Sequence, residues 1–196
     1  MRQQQPQNPV FLARLLGHAA PVVTLGTILL ATVVSDSFTW TDSALSDLGV
    51  TTGTALLFNG GLVVGGLLAL PYAYALWIAA RSNVGRLTAV AFALAATTMG
   101  LVGVFVSGHP LHLPVALSFY LLVTATLVLD GFARRTVWQG RLSALLGVAH
   151  FLGWALWVAG SRFGTGLAVP ETVGALVFAL WVLGLSPASG FSSRVR

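Results

Sequence analysis

Six stretches of about twenty residues with almost no charge, near 15–35, 54–80, 86–107, 112–130, 141–160 and 168–186, decide what this chain can become. The hydrocarbon core of a bilayer is about 30 Å thick, and about 20 apolar residues of helix cross it. Within that core every backbone amide has to be bonded inside the protein, which leaves helices or a closed barrel. None of the six stretches alternates polar with apolar residues as a lipid-facing barrel strand does. Of 196 residues only 8% are charged and 56% are hydrophobic, whereas a soluble domain carries about 25% charged residues. The chain therefore reads as an all-α integral membrane protein, a bundle of six transmembrane helices over 15–186. Residues 1–14 and 187–196 read as cytoplasmic tails.

The arginines orient it. Arg2 and Arg14 precede the first span. Arg81 and Arg86 lie between the second and third, and Arg134, Arg135 and Arg141 between the fourth and fifth. Arg194 and Arg196 close the chain, and Arg162 alone falls on the other side. Basic loop residues mark the cytoplasmic face, so both termini are expected in the cytoplasm of a cell-membrane protein. "MRQQQPQNP" followed by a long apolar run reads as an anchor, not a cleaved signal peptide. The net charge of +5 forms no basic stripe, which argues against nucleic acid as a partner. With no cysteine, disulfides, thiolate nucleophiles and iron–sulfur sites are excluded, and no cofactor is implied.

That orientation collects the unusual residues outside. Asp36, Asp42 and Asp47 fall in the first external loop, His109 and His112 in the second, Arg162 and Glu171 in the third. The first loop holds "TWTDSALSDLG", residues 39–49. Thr39 and Asp42 have the spacing of a capping box, and Gly49 is a natural helix stop. At helical period Asp42, Ser43, Ser46 and Asp47 share one face, and Ala44, Leu45 and Leu48 another. The expectation is a short amphipathic external helix between spans 1 and 2, anchored by Trp40. Its polar face is either simply solvated or closes over a head group, ion or partner. Asp47, at the unfavourable negative end of this helix, is expected to fold inward onto a partner, with Asp42 the more exposed.

His109 and His112, three apart, can face one way. With Asp42 or Asp47 they could supply a His/Asp metal set, Asp47, His109 and His112 being the weak candidates; otherwise they are interfacial hydrogen-bonding groups, or sense protons or touch a head group. Arg162 either binds a phosphate or pairs with Asp36, Asp42 or Asp47. His18 and His150, inside spans, read as neutral histidines bonded to a neighbouring helix, and Asp130 as the i,i+4 partner of Arg134. Gly61, Gly65, Ala69 and Ala73 recur every four residues and form a smooth ridge for close helix packing.

"SALSDLG", followed by the phenylalanine of "LLFNGG", resembles the signature of an archaeal and bacterial six-span membrane family, domain of unknown function 998. The matching residues are Ser46, Asp47, Gly49 and Phe58, and "SGHPLHLP" before the fourth span is also similar. The same pattern resembles, more thinly, the eukaryotic Frag/DRAM/Sfk group, some of whose members act in lipid-anchor remodelling or lipid organisation. The proline which that group often carries between the Gly and the Phe is absent from "VTTGTALL". No nucleotide loop, serine elbow or zinc-protease motif is present. Two function classes follow. One is a non-catalytic protein that organises membrane lipids or serves as accessory subunit of a larger membrane complex or homo-oligomer. The other is a small membrane enzyme acting on lipid head groups at the outer leaflet, a metal-dependent hydrolase among the options.

Overall fold

The computed structural model of the chain describes residues 9–160 and 164–190. Among these there is no strand, and six helical segments are long and apolar enough to cross a membrane. They are α1 (Pro9–Val34), α2 (Ala55–Ala79), α3 (Asn83–Val104), α4 (His112–Ala133), α5 (Trp138–Val158) and α6 (Ala168–Leu180). A π-helical turn, Trp181–Leu185, extends α6. The helix α1 starts six residues earlier than the apolar run, at Pro9, because the fixed φ of proline suits a first helical position. Residues beyond 186 do not all hang free, since Ala188 and Ser189 are buried. Both internal prolines, Pro21 and Pro71, sit inside unbroken helices.

Small residues set the packing. Gly61, Gly65 and Ala69 of α2 are buried and Ala73 is half-buried. A methyl group at Gly61 would collide with Thr27, and one at Gly65 with Thr24, so this ridge seats α1. The helix α2 has a second glycine face that its four-residue repeat does not reveal. A methyl group at Gly66 would lie 2.8 Å from the carbonyl oxygen of Ala96 and 3.0 Å from Cα of Gly100, on α3. The centre of the bundle is aromatic: Tyr72 and Phe92 (centroids 5.6 Å apart) meet Phe178 and Trp181, whose rings stack in parallel. Leu56, Val33 and Leu113 point outward and stay exposed, as lipid-facing residues do.

The end of the bundle nearest the described chain termini is closed by a polar network. A helix leaves its last carbonyls unbonded, and here side chains take them up. The Tyr72 hydroxyl donates to Val182 O at 3.0 Å, and Arg134 Nη2 donates to Leu185 O at 2.7 Å. Asp130, fully buried, pairs with Arg134 as expected and also accepts from Trp181 Nε1 at 2.8 Å. A buried carboxylate is tolerable only with such complete hydrogen bonding.

Substituting Gly65→Leu should overpack the α1–α2 seam and cost about 1–3 kcal/mol. Gly66→Leu should cost at least as much, because the atoms met on α3 are backbone and cannot turn away. Thermal unfolding in detergent measures both, and an unchanged melting temperature for either would show that its face meets lipid.

A candidate functional site under a clasped loop

The expected external helix does not form over 39–49. Local side-chain bonds win in its first half: Ser43 Oγ accepts from Thr39 N at 3.1 Å, and Asp42 Oδ2 accepts from the Thr41 hydroxyl at 2.7 Å. Such bonds compete with helix formation. What remains is one 3-10 turn, Leu45–Gly49. Three residues per turn make i and i+3 eclipse, and burial follows that period. Leu45 and Leu48 are buried, Ser46 and Gly49 are buried, and Asp47 and Val50 are exposed. Ser46 therefore parts company with Asp47 and joins the leucines, which a period of 3.6 could not have shown.

This loop is tied down on two sides. Toward α2, Thr54 Oγ1 donates to Leu48 O and Asn59 Nδ2 to Gly49 O, each at 2.8 Å. Toward α6, Gly166 N donates to Thr41 O at 2.8 Å and Ala168 N to Ser43 O at 2.9 Å. The Thr165 hydroxyl reaches Asp42 Oδ1 at 3.1 Å. A methyl group at Gly164 or Gly166 would collide with this backbone, and Gly164 also has a φ of +93°, a conformation that favours glycine. The α1–α2 and α5–α6 connections thus form a clasp. The Thr41 hydroxyl, then that of Thr165, holds the Asp42 carboxyl below the usual carboxylate range. The folded form is favoured above pH about 4, and this contribution is lost as pH falls through the depressed value.

The two first amides of the 3-10 turn are each met by a carboxylate. Asp47 Oδ2 accepts from Ala44 N at 2.8 Å, and Glu171 Oε2 accepts from Leu45 N at 2.7 Å. The expectation for Asp47 is thereby corrected. Asp47 is exposed and caps its own turn, as the N3 member of a capping box does. The inward acid is Glu171, 8% exposed in the first turn of α6 rather than in a loop.

Beneath the clasp lies a cavity of about 50 Å³ whose wall includes Ser46, Glu171, His112, Tyr120, Phe58 and Phe119. A second cavity of about 40 Å³ continues inward between α1 and α6, from Leu25 down to Gly17 and Val182. Thr24, Met99, Phe119 and Ala175 line both. From Glu171 to Val182 is roughly 16 Å of helix at 1.5 Å per residue. Small residues face each other along this seam without closing it. Thr24 Oγ1 is buried there without a hydrogen-bond partner among the described residues.

The structure gathers Ser46, His112 and Glu171 around one cavity and leaves Asp42, Asp47 and His109 outside its wall. The His112 ring bonds Phe105 O at 2.7 Å. A carbonyl only accepts, so Nδ1 carries the hydrogen. His109 is exposed, stacks on Phe105 and accepts from Leu111 N at 3.1 Å through Nδ1. Arg162 lies outside the described residues. Among the described residues no three of His, Asp and Glu come together as metal ligands; Asp47, His109 and His112 do not form such a set. Behind the cavity Tyr120 packs against Trp154 and His150. The Trp154 indole donates to His150 Nε2 at 3.2 Å, so Nδ1–H donates to Thr124 Oγ1 of α4 at 2.8 Å. This is the neutral, helix-bridging histidine expected. His18 Nε2, in contrast, has no hydrogen-bond partner among the described residues.

Glu171→Leu should leave the buried Leu45 amide unbonded and cost about 1–3 kcal/mol, with faster protease cleavage in the 38–54 loop. Glu171→Gln keeps an acceptor and should behave nearly as wild type. Wild-type stability and cleavage in the leucine variant would mean that the acid does not hold the loop.

A family model described as "Protein of unknown function (DUF998)" matches residues 18–187, from the first turns of α1 to just past the π turn. No curated protein and no solved structure matches the chain. The motif that carried the resemblance has a physical role throughout: Ser46 and Phe58 line the cavity, Asp47 caps the turn, and Gly49 permits the close approach of Asn59 and Phe58. With the match spanning all six helices, the chain is a multi-pass membrane protein of the DUF998 family.

Proposed function

We propose that the protein is non-catalytic and binds a membrane lipid or similar amphiphile, its hydrocarbon chain between α1 and α6 and its polar end near Ser46, His112 and Glu171. The observation that carries this reading is the pair of mainly apolar cavities that follow one another from the clasp to Val182, with Thr24, Met99, Phe119 and Ala175 in the walls of both. Binding sites of this type are apolar and concave, with a few placed polar groups. In this reading the clasped end faces outward. Arg81, Arg86, Arg134, Arg135 and Arg141 all follow even-numbered helices or begin odd-numbered ones, at the opposite end, where the cytoplasm is expected. The protein then organises lipid around itself, or presents it to a larger membrane complex. The hydrolase reading ranks second because Asp47 and His109 stand outside the cavity that His112 enters.

A photoactivatable phospholipid incorporated into membranes should label α1 and α6 residues along the slot. Ala175 lines both cavities, so Ala175→Phe should fill the passage and reduce that labelling about tenfold, corresponding to ~1.4 kcal/mol of lost affinity, without lowering the melting temperature. Labelling that is spread evenly over the lipid-facing surface, or undiminished in the folded Ala175→Phe variant, would contradict the reading.

A further inference from the structure

At the opposite end of the bundle the half-buried arginines are unequally provided for. Of the described arginines only Arg14 and Arg134 are part-buried, while Arg81, Arg86, Arg135 and Arg141 are exposed. Asp130 is spent on Arg134: its Oδ1 accepts from Nε at 2.6 Å, and its Oδ2 accepts from Nη2 and from Trp181. Arg14 has no acid partner among the described residues, and its Nε is buried and unbonded. One turn on, the His18 ring lies tilted against Tyr72 with centroids 5.6 Å apart, and its Nε2 is also buried and without a hydrogen-bond partner among the described residues. Gly17 makes this possible, because any side chain there would collide with the Tyr72 ring. The Tyr72 hydroxyl bridges Val182 O and Ser186 Oγ, beside the Leu185 carbonyl that holds Arg134. Arg134 Nη1 is a third buried donor without a partner.

Beside Tyr72 thus lie the His18 ring, with Arg14 one turn before it on α1, and Arg134, bound to a neighbouring carbonyl of the last helix, and among the described residues Asp130 is the one carboxylate paired with an arginine. A half-buried cation without a counter-charge is costly, and basic pockets between transmembrane helices on one membrane face suit anionic head groups. We propose that Arg14, with His18 and Arg134 behind it, forms a second binding site, for the phosphate group of an anionic phospholipid in the leaflet at the termini end. Guanidinium presents paired donors that match phosphate oxygens. The site abuts the inner cavity at Gly17 and Val182 but lies away from the clasp, and it does not depend on the reading of the clasped cavity.

The test is thermal unfolding of the purified protein titrated with phosphatidylglycerol in mixed micelles, with phosphatidylcholine, and with inorganic phosphate alone. Phosphatidylglycerol should stabilise the wild type, and Arg14→Gln should weaken that response about tenfold or more, as losing a charged hydrogen-bond donor does. Arg135→Gln should keep the response, since Arg135 lies exposed over the Phe132 ring. An Arg14-dependent response to inorganic phosphate as well would keep the phosphate site and assign it a soluble source. Equal responses of wild type and Arg14→Gln, or phosphatidylcholine as effective as phosphatidylglycerol, would overturn the proposal. Should Arg14→Gln fail to fold, native mass spectrometry of the wild type decides: anionic phospholipid retained over zwitterionic is the expected result, and no preference overturns it.

Discussion

The buried amide of Leu45 has to find an acceptor, and Glu171 supplies it from 126 residues away. Much of the arrangement at that end follows from this one bond. It brings the 3-10 turn onto the first turn of α6, so that Thr41 and Ser43 meet the backbone of Gly166 and Ala168. It turns Ser46 inward over the cavity and leaves Asp47 outside to cap the turn. Without an acceptor there, the desolvated amide would drive the loop away from α6, and the slot between α1 and α6 would lose its roof.

The bundle was readable because membrane insertion is governed by run length and charge, both local properties of the chain. The six spans agree with the helices to within a few residues, apart from the earlier start of α1. The ridge of Gly61, Gly65 and Ala69 was also readable, since a four-residue repeat names one helix face. The Gly66 face was not, because its partner is the backbone of Gly100 on α3 and no repeat on α2 announces it. Loop 1 was misjudged for a definite reason. The chain takes period 3 where an α-helix would take 3.6, and the side-chain bonds of Thr41 and Ser43 replace the first helical turn. Glu171 carried no local signal that it, rather than Asp47, would turn inward. That depends on a contact between the α1–α2 connection and the start of α6, which sequence spacing does not encode.

The two ends of the bundle handle polar groups differently. At the clasped end the acids meet backbone amides and hydroxyls, and the polar atoms Ser46, His112 and Glu171 line an otherwise apolar cavity. At the other end one carboxylate serves an arginine and an indole, while orphan carbonyls of the last helix accept from Tyr72 and Arg134. Between them the bundle is apolar and aromatic, and its histidine bridge, His150 to Thr124, is internally satisfied. This contrast between the two ends is what the proposed binding of an amphiphile rests on.

Loop 1, residues 35–54, is a folded lid bound to the α6 side. A chain without native cysteine allows a direct test, by placing cysteines at Asp42 and Thr165, whose side chains meet at 3.1 Å. With a protease site inserted in the 105–111 connection, mild oxidation in membranes followed by cleavage should leave the two halves of the protein covalently joined. Halves that separate after oxidation, in a variant that remains folded, would show that the clasp does not exist and that the cavity beneath it is open.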